Sequence, residues 1–190
     1  MRYEIRLAGS GGQGVIMAGL ILAEAGIIEG YHVAQTQDYG AEARGGTSAS
    51  EVILSDAEID YPRALGLDIL LAFNQRACDE NLPNMKPEGL AMVDADLVDK
   101  VFWGQVVRVP FSRWSQKKYK DQRFANVLAL GALTPFCAWF SPHSLRKAIA
   151  KRIPQGAVLP NLAAFQEGIK LARSLKKSLI FQEIEGSVEV

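Results

Sequence analysis

Apolar and polar residues alternate through Tyr3-Glu4-Ile5-Arg6-Leu7-Ala8, which predicts a strand over residues 3–8. From residue 14 to 29 the apolar spacing lengthens to Val15, Ala18, Leu22 and Ala25, predicting a helix with a small-residue face that Gly26 weakens and Gly30 ends. Further strands are predicted over residues 31–36, 48–55, 68–73, 89–94 and 105–109. The run Asp68-Ile69-Leu70-Leu71-Ala72-Phe73 is almost continuously apolar, as in a strand buried on both faces. Helical or turn pieces punctuated by Pro83, Pro87 and Gly104 separate the later strands. After Pro110 the pattern is helical only, over residues 123–140, 142–151 and 159–177, the last with a stripe of Leu162, Phe165, Ile169 and Ala172. The last ten residues, ending Glu183-Ile184-Glu185-Gly186-Ser187-Val188-Glu189-Val190, predict a tail or a strand added by a partner. Alternation of strand and helix implies an α/β fold with a mostly parallel sheet and a helical C-terminal part.

Two glycine-rich stretches give the pattern a chemical focus. Gly9-Ser10-Gly11-Gly12-Gln13-Gly14 joins the first strand to the first helix, the position of a GxGxxG turn in a Rossmann-like, three-layer fold. There Gly9 would permit the tight turn, Gly11 a close backbone approach to a pyrophosphate, and Gly14 close packing of helix on strand. Free N–H groups and the positive helix end would face an anion. The acidic residue expected about 20 residues on, which holds ribose hydroxyls in dinucleotide folds, is missing. The second strand ends in Gln35, Thr36 and Gln37, and Asp38 comes late, which weakens a simple NAD reading. The plainer alternative is that these glycines serve only close packing of helix, sheet and a neighbouring subunit.

The second stretch, Tyr39-Gly40-Ala41-Glu42-Ala43-Arg44-Gly45-Gly46, reads as part of a loop about a dozen residues long, a size that is usually functional or disordered. Arg44 offers a forked donor to carboxylate or phosphate, the flanking glycines allow a backbone approach, and Glu42 can fix the arginine by an ion pair. The two stretches are expected to form one polar mouth.

Gly9 to Gly19 (GSGGQGVIMAG) and Tyr39 to Ser55 (YGAEARGGTSASEVILS) resemble the gamma subunit of 2-oxoacid:ferredoxin oxidoreductases of the 2-oxoglutarate type. Asn126 with Leu130-Gly131-Ala132, and Asn161 with Ala164-Phe165 and Gly168, echo the same family's helical half. The resemblance covers nearly the whole chain and implies a single domain, residues 1–190, of the gamma type. It implies a subunit of an enzyme that decarboxylates a 2-oxoacid on thiamine diphosphate with magnesium, passes electrons through iron–sulfur clusters to ferredoxin, and forms an acyl-coenzyme A. The partners implied are alpha, beta and ferredoxin-like subunits, with coenzyme A and the 2-oxoacid as small molecules. On this reading the chain binds none of those cofactors alone, though it can contact coenzyme A through Gly9, Ser10, Gly11, Gly12, Gln13, Gly14 and Arg44. Tyr39, Gly40, Glu42, Gly45 and Gly46 would form an interface or active-site loop. The alternative function is a free-standing nucleotide-binding protein taking NAD, FAD or an adenylate.

Composition agrees with a helper role. Hydrophobic residues are 48% and charged ones 22% of 190, ordinary for a globular domain. Lys plus Arg and Asp plus Glu are 21 each, so no global field recruits nucleic acid or an acidic membrane. No apolar run reaches the roughly 18 to 20 residues that span a bilayer, and the amino terminus enters a strand directly, so the chain reads as cytoplasmic. Cys78 and Cys137 are the only cysteines. They read as reduced, partly buried thiols, with a disulfide left open, whereas an iron–sulfur cluster needs several thiolates at short spacings. No metal site is expected. His32 and His143 sit in no nucleophile–base pattern, and no residue is assigned as catalytic. Asp94, Asp96 and Asp99 read as a solvated loop after a strand. The basic stretch Arg113, Lys117, Lys118, Lys120 and Arg123 reads as a solvated or interface face rather than a nucleic-acid site.

Overall fold

The computed structural model describes residues 1–40 and 46–186, with residues 176–186 described as backbone. Strands β1 (Arg2–Ser10), β2 (His32–Tyr39), β3 (Thr47–Ser55), β4 (Leu67–Ala72), β5 (Met85–Asp94) and β6 (Val106–Val109) form one sheet in the order β2-β3-β1-β4-β5-β6. β1, β4, β5 and β6 pair in parallel, and β3 runs antiparallel to both of its neighbours. The helices are α1 (Val15–Glu29), α2 (Gln75–Asn81), α3 (Phe111–Tyr119), α4 (Ala125–Leu133), α5 (Pro142–Arg152) and α6 (Val158–Gly186). The expected α/β fold with a mostly parallel sheet and a helical C-terminal part is therefore present.

Strand periodicity assigns each side chain to a face. Ile5, Leu7, Val52, Leu54, Ile69 and Leu71 enter the larger core, beneath α1, α3, α4, α5 and α6. Their alternates Ala8, Leu70, Ala72, Ala91 and Val93 enter a smaller core with Ala77 and Cys78 of α2. Among the described residues the helical pieces on this second face are the seven-residue α2 and a 3₁₀ turn at Leu82–Asn84; residues 56–66 and 95–105 cover the remainder as two non-helical straps. Their backbones are held by polar side chains. Glu4, buried on β1, accepts from the N–H groups of Leu65 (3.0 Å) and Gly66 (2.7 Å) and from Arg2 Nε (2.6 Å). Burial raises the Glu4 carboxyl, but Arg2 and the Gly66 and Leu65 amides outweigh it and hold the group below its ordinary value. Glu51 on β3 accepts from the Ala64 N–H (3.1 Å) and pairs with Arg6.

Several boundaries differ from those the pattern predicts. The 123–140 segment is a helix only from Ala125 to Leu133, because Pro135 closes it through a 3₁₀ turn at Thr134–Phe136. α3 occupies the basic stretch, where Arg113 pairs with Asp96, Lys118 with Glu167 and Arg123 with Asp121. The predicted tail is helical instead. With neither Gly nor Pro between residues 169 and 185, α6 continues to Gly186, and residues 187–190 lie outside those described. Both cysteines are free and buried, and burial pushes each thiol up to about 11.

α4 and α6 cross with their backbones in contact. A Cβ on Gly131 would sit 2.0 Å from the Phe165 carbonyl oxygen, and one on Gly168 would sit 2.0 Å from that of Leu128. Either substitution to Ala is expected to force the helices apart at a cost of about 3 kcal/mol, lowering Tm by roughly 10 °C in a thermal melt. A second link ties α1 to α5. Glu24, buried on α1, accepts from Lys151 Nζ (2.6 Å) and from Arg152 Nε (3.0 Å) and Nη2 (2.6 Å). The Lys151 hydrogen bond is the largest influence on its carboxyl; with Arg152 it outweighs burial and holds the group below the usual 4.5. The folded state thus gains stability from Glu24 above its unfolded pKa and loses it as pH falls through the depressed folded value. Glu24→Gln is expected to cost about 2 kcal/mol at pH 7, a loss limited because both cations can regain water, and the gap in urea melts should narrow as pH falls from the unfolded value of 4.5 through the depressed folded one.

Candidate functional site

Backbone geometry at the first glycine stretch departs from the roles the motif suggests. Gly12 (φ 93°) and Gly14 (φ 73°) take the left-handed conformation that glycine tolerates. Gly9 instead lies in the last pair of residues of β1 under tight packing. A Cβ there would lie 2.5 Å from Gln13 Oε1 and 3.1 Å from both Phe73 Cβ and Val15 Cγ2. At Gly14 a Cβ would lie 2.3 Å from Asn126 Nδ2, so this glycine admits a side chain of α4 rather than packing helix on strand. Asn126 Nδ2 donates to the Gly14 carbonyl at 3.1 Å.

Much of the turn's hydrogen bonding is internal. The Ser10 N–H donates to Gln13 Oε1 (2.7 Å), and the Gln13 N–H donates to the Ser10 carbonyl (3.1 Å). Gln13 Nε2 reaches the Phe73 carbonyl (3.2 Å), while Asn74 Nδ2 donates to Ser10 Oγ (2.9 Å) and Gln13 Oε1 (3.3 Å). Asn74 also caps α2 by accepting from the Ala77 N–H (2.8 Å). Gln13 and Asn74 thereby tie together the turns that follow β1 and β4, neighbouring parallel strands, at their carboxyl ends. In open α/β sheets that crevice is where ligands bind. The donors left are the N–H groups of Gly12, Gly14 and the first turn of α1.

The second stretch is shorter as a loop than expected. β2 and β3 pair as far as Tyr39↔Ser48, so the connection is residues 40–46, closed at its base by Gly40 N–H to the Thr47 carbonyl (2.7 Å). Because β3 lies antiparallel beside β1, Gly46, just ahead of β3, arrives at the glycine turn. The Gly11 N–H donates to the Gly46 carbonyl at 3.0 Å, a direct junction between the two glycine stretches. Glu42, Arg44 and Gly45 lie outside the described residues.

Cavities open on both sides of the junction. One of about 310 Å³ is lined by Gly9, Tyr39 and Gly40 together with Arg6, Asp38 and Asn81. Tyr39 is exposed, its hydroxyl bonded to Gln37 (2.9 Å). The other cavity, about 250 Å³, is lined by Gly12, Gln13, Phe73, Ser112, Gln122 and Arg123. Arg6 and Asn81 were not among the residues the sequence singled out. Arg6 Nη1 donates to Asn81 Oδ1 (2.9 Å), and its other nitrogen pairs with Glu51. The missed signal is the alternation Arg2, Glu4, Arg6, charges repeating every second position along a strand that lies inside the sheet.

Asp94 also departs from expectation. It is fully buried rather than solvated, accepting from Ser112 N–H (3.0 Å) and Oγ (2.5 Å) and from the Asp96 N–H (3.1 Å). Burial pushes its carboxyl up, opposed by the Ser112 bonds. Its work is to hold the first turn of α3 against the end of β5. His32 and His143 are exposed, and among the described residues no three His, Cys, Asp or Glu side chains are grouped to hold a metal. No helix among the described residues is long and apolar enough to cross a membrane.

Known proteins share this fold and much of the sequence. The chain is 43% identical over 180 residues to 2-oxoglutarate synthase subunit KorC of Methanocaldococcus jannaschii, covering 92% of this chain and 96% of that one. Its fold superposes with a TM-score of 0.82 on the gamma subunit of a keto/oxoacid ferredoxin oxidoreductase from Geobacter sulfurreducens, at 39% identity, covering 92% and 98% of the two chains. A 2-oxoglutarate:ferredoxin oxidoreductase from Magnetococcus marinus, solved with 2-oxoglutarate, coenzyme A and succinyl-CoA bound, matches with a TM-score of 0.80 and 28% identity over 91% of this chain and 31% of its own. Residues 4–171 match the model of pyruvate ferredoxin/flavodoxin oxidoreductases, and the chain belongs to that family.

Proposed function

We propose that this chain is the gamma subunit of a multisubunit 2-oxoacid:ferredoxin oxidoreductase of the 2-oxoglutarate type, and that the glycine junction forms part of the wall against which coenzyme A is held. The observation that carries the second half is the 3.0 Å bond from the Gly11 N–H to the Gly46 carbonyl, which joins both glycine stretches between two polar cavities. Similarity to the KorC subunit along nearly the full length of both chains supports the first.

The chemistry of decarboxylation and electron transfer is assigned to partner subunits, which would carry thiamine diphosphate, magnesium and iron–sulfur clusters. This chain's own thiols do not fit a cluster, since Cys78 belongs to the smaller core and Cys137 to the larger. Its part is positional. The N–H groups of Gly12 and Gly14 and the α1 amino terminus offer partial positive charge to a phosphate, and Tyr39 and Gly40 close the mouth. A free-standing dinucleotide site is the poorer reading, because the Ser10, Gly11 and Gln13 amides already have internal acceptors.

Gly11 tests the assignment. A Cβ there would find its nearest neighbour, the Gly46 carbonyl oxygen, at 3.9 Å, so the fold tolerates a side chain that the mouth would not. Gly11→Val is expected to leave the stability of the subunit within about 1 kcal/mol. In the assembled enzyme it should raise KM for coenzyme A by roughly tenfold or more, equivalent to about 1.4 kcal/mol, and lower turnover. Full turnover with unaltered coenzyme A affinity would refute the role.

A further inference from the structure

At the end of the sheet away from the glycine junction, a cavity of about 590 Å³ opens between the strands and the turn that follows α4. The amino-terminal parts of β4 and β5 supply Ile69 and Leu90 to its lining, and the turn supplies Phe136, Ala138 and Trp139. Ile69 belongs to the larger core, and Leu90, Phe136 and Trp139 pack against it. Trp139 is fixed by stacking on Tyr3, with ring centroids 3.7 Å apart. The volume suits a small organic molecule. No residue lining the two cavities of the glycine junction lines this one, so the space is separate from the mouth.

The polar side of the cavity is built by a bulge. From the Leu67↔Met85 pair to the Ile69↔Leu90 pair, β5 spends three residues more than β4, and Lys86, Pro87 and Glu88 stand in that excess. Bulges of this kind re-aim side chains and are frequent beside binding sites. This one is locked in place. A Cβ on Gly89 would lie 2.7 Å from Met85 Cε and 2.8 Å from the Leu67 carbonyl oxygen, and the Gly89 carbonyl accepts from Trp103 Nε1 at 2.7 Å. Lys86 Nζ is turned onto Asp68 Oδ2 (2.6 Å), an oxygen that also accepts the Glu4 N–H (2.8 Å).

That pairing decides which charge the cavity favours. Among the lining residues Lys86 is the one cation, and Asp68 neutralises it. Glu88, the other carboxylate, has no cation beside it among the described residues and accepts only a long bond from Gln105 Nε2 (3.4 Å). The lining therefore carries one uncompensated negative charge together with two aromatic rings, surroundings that favour an ammonium group. We propose that this cleft binds a small organic cation, a primary ammonium on an apolar body, with Glu88 receiving the ammonium and Phe136, Trp139 and Leu90 the body. An anion would have to displace Asp68 from Lys86, and a neutral ligand would gain nothing from Glu88. With the bulge locked and Trp139 stacked, little of the wall has to be ordered when the ligand arrives.

Phenethylammonium titrated into the full chain tests the site, followed by calorimetry and by the indole N–H resonances. It is expected to bind roughly tenfold tighter or more than 2-phenylethanol and 3-phenylpropionate, which keep the ring and two-carbon chain but are neutral and anionic, and to shift the Trp139 resonance. Glu88→Gln is expected to weaken binding roughly fivefold. Ala138→Phe, which fills the cavity from an exposed position, is expected to abolish it, and both variants should melt like the wild type. Glu58→Gln, at an exposed carboxylate between β3 and β4, is expected to bind normally. No saturation by about 10 mM, equal or tighter binding of 3-phenylpropionate, or an affinity unchanged in Glu88→Gln overturns the proposal. So does an equal loss in Glu58→Gln, or a response confined to the amides of Gly12 and Gly14, which would place the cation at the glycine junction.

Discussion

Nine consecutive pairings join β1 to β3, from Arg2↔Ser55 to Ser10↔Thr47, and the geometry of the site follows from that register. One residue past the last pair the chains are still in step, so the Gly11 amide meets the Gly46 carbonyl as the next rung of the ladder. A slip of one residue would turn Val52 and Leu54 out of the larger core and Glu51 into it, so burial on one face and charge on the other defend the same register. The alignment of two loops 35 residues apart in sequence is thus maintained by the most deeply buried part of the sheet. The reversed strand is essential. A parallel β3 would bring the second glycine stretch to the opposite edge.

The helical half reinforces the turn from the other side. Gly131 and Gly168 let α4 and α6 meet backbone to backbone, and α4 then extends Asn126 into the space that Gly14 leaves open. The turn is consequently held by three elements: Gln13 and Asn74 bridge to the turn after β4, Asn126 anchors it to α4, and Gly46 anchors it to the hairpin. A phosphate-binding loop gains from this kind of fixation, since a donor already in place costs little to order when the ligand arrives.

The strands were legible wherever one face was buried, because period-two alternation is a direct consequence of burial; residues 48–55 and 68–73 come within a residue of β3 and β4. β5 begins at Met85, ahead of the predicted start at residue 89, and β2 runs to Tyr39, past its predicted end at Thr36. β2 is an edge strand whose last three residues, Gln37, Asp38 and Tyr39, are exposed, so polarity there hid the strand, and the loop was read as longer than it is. α3 was hidden because its partners are distant in sequence: Arg113 pairs with Asp96, Lys118 with Glu167, and the Ser112 amide is held by Asp94, eighteen residues away. At the site, the glycines and their neighbourhood could be read from their order along the chain. The internal acceptors of their amides could not, because Gln13 meets Phe73 and Gly11 meets Gly46 only after the sheet has formed.

Those internal bonds bear on how the mouth binds charge. A ligand competing for the Ser10, Gly11 or Gln13 amides would exchange one hydrogen bond for another, with a net gain of only about 1 kcal/mol at best. Arg6, the cation on the wall of the larger cavity, is already paired with Glu51, and Asp38 beside it is paired with Arg63 (3.0 Å). The cavity is therefore shaped by charges that largely cancel, so a polar group would be selected there by geometry more than by field. Net positive charge for a phosphate has to come from elsewhere. On the proposed reading it would come from a neighbouring subunit, so that the affinity of the mouth for an anion would be tied to assembly of the enzyme around it.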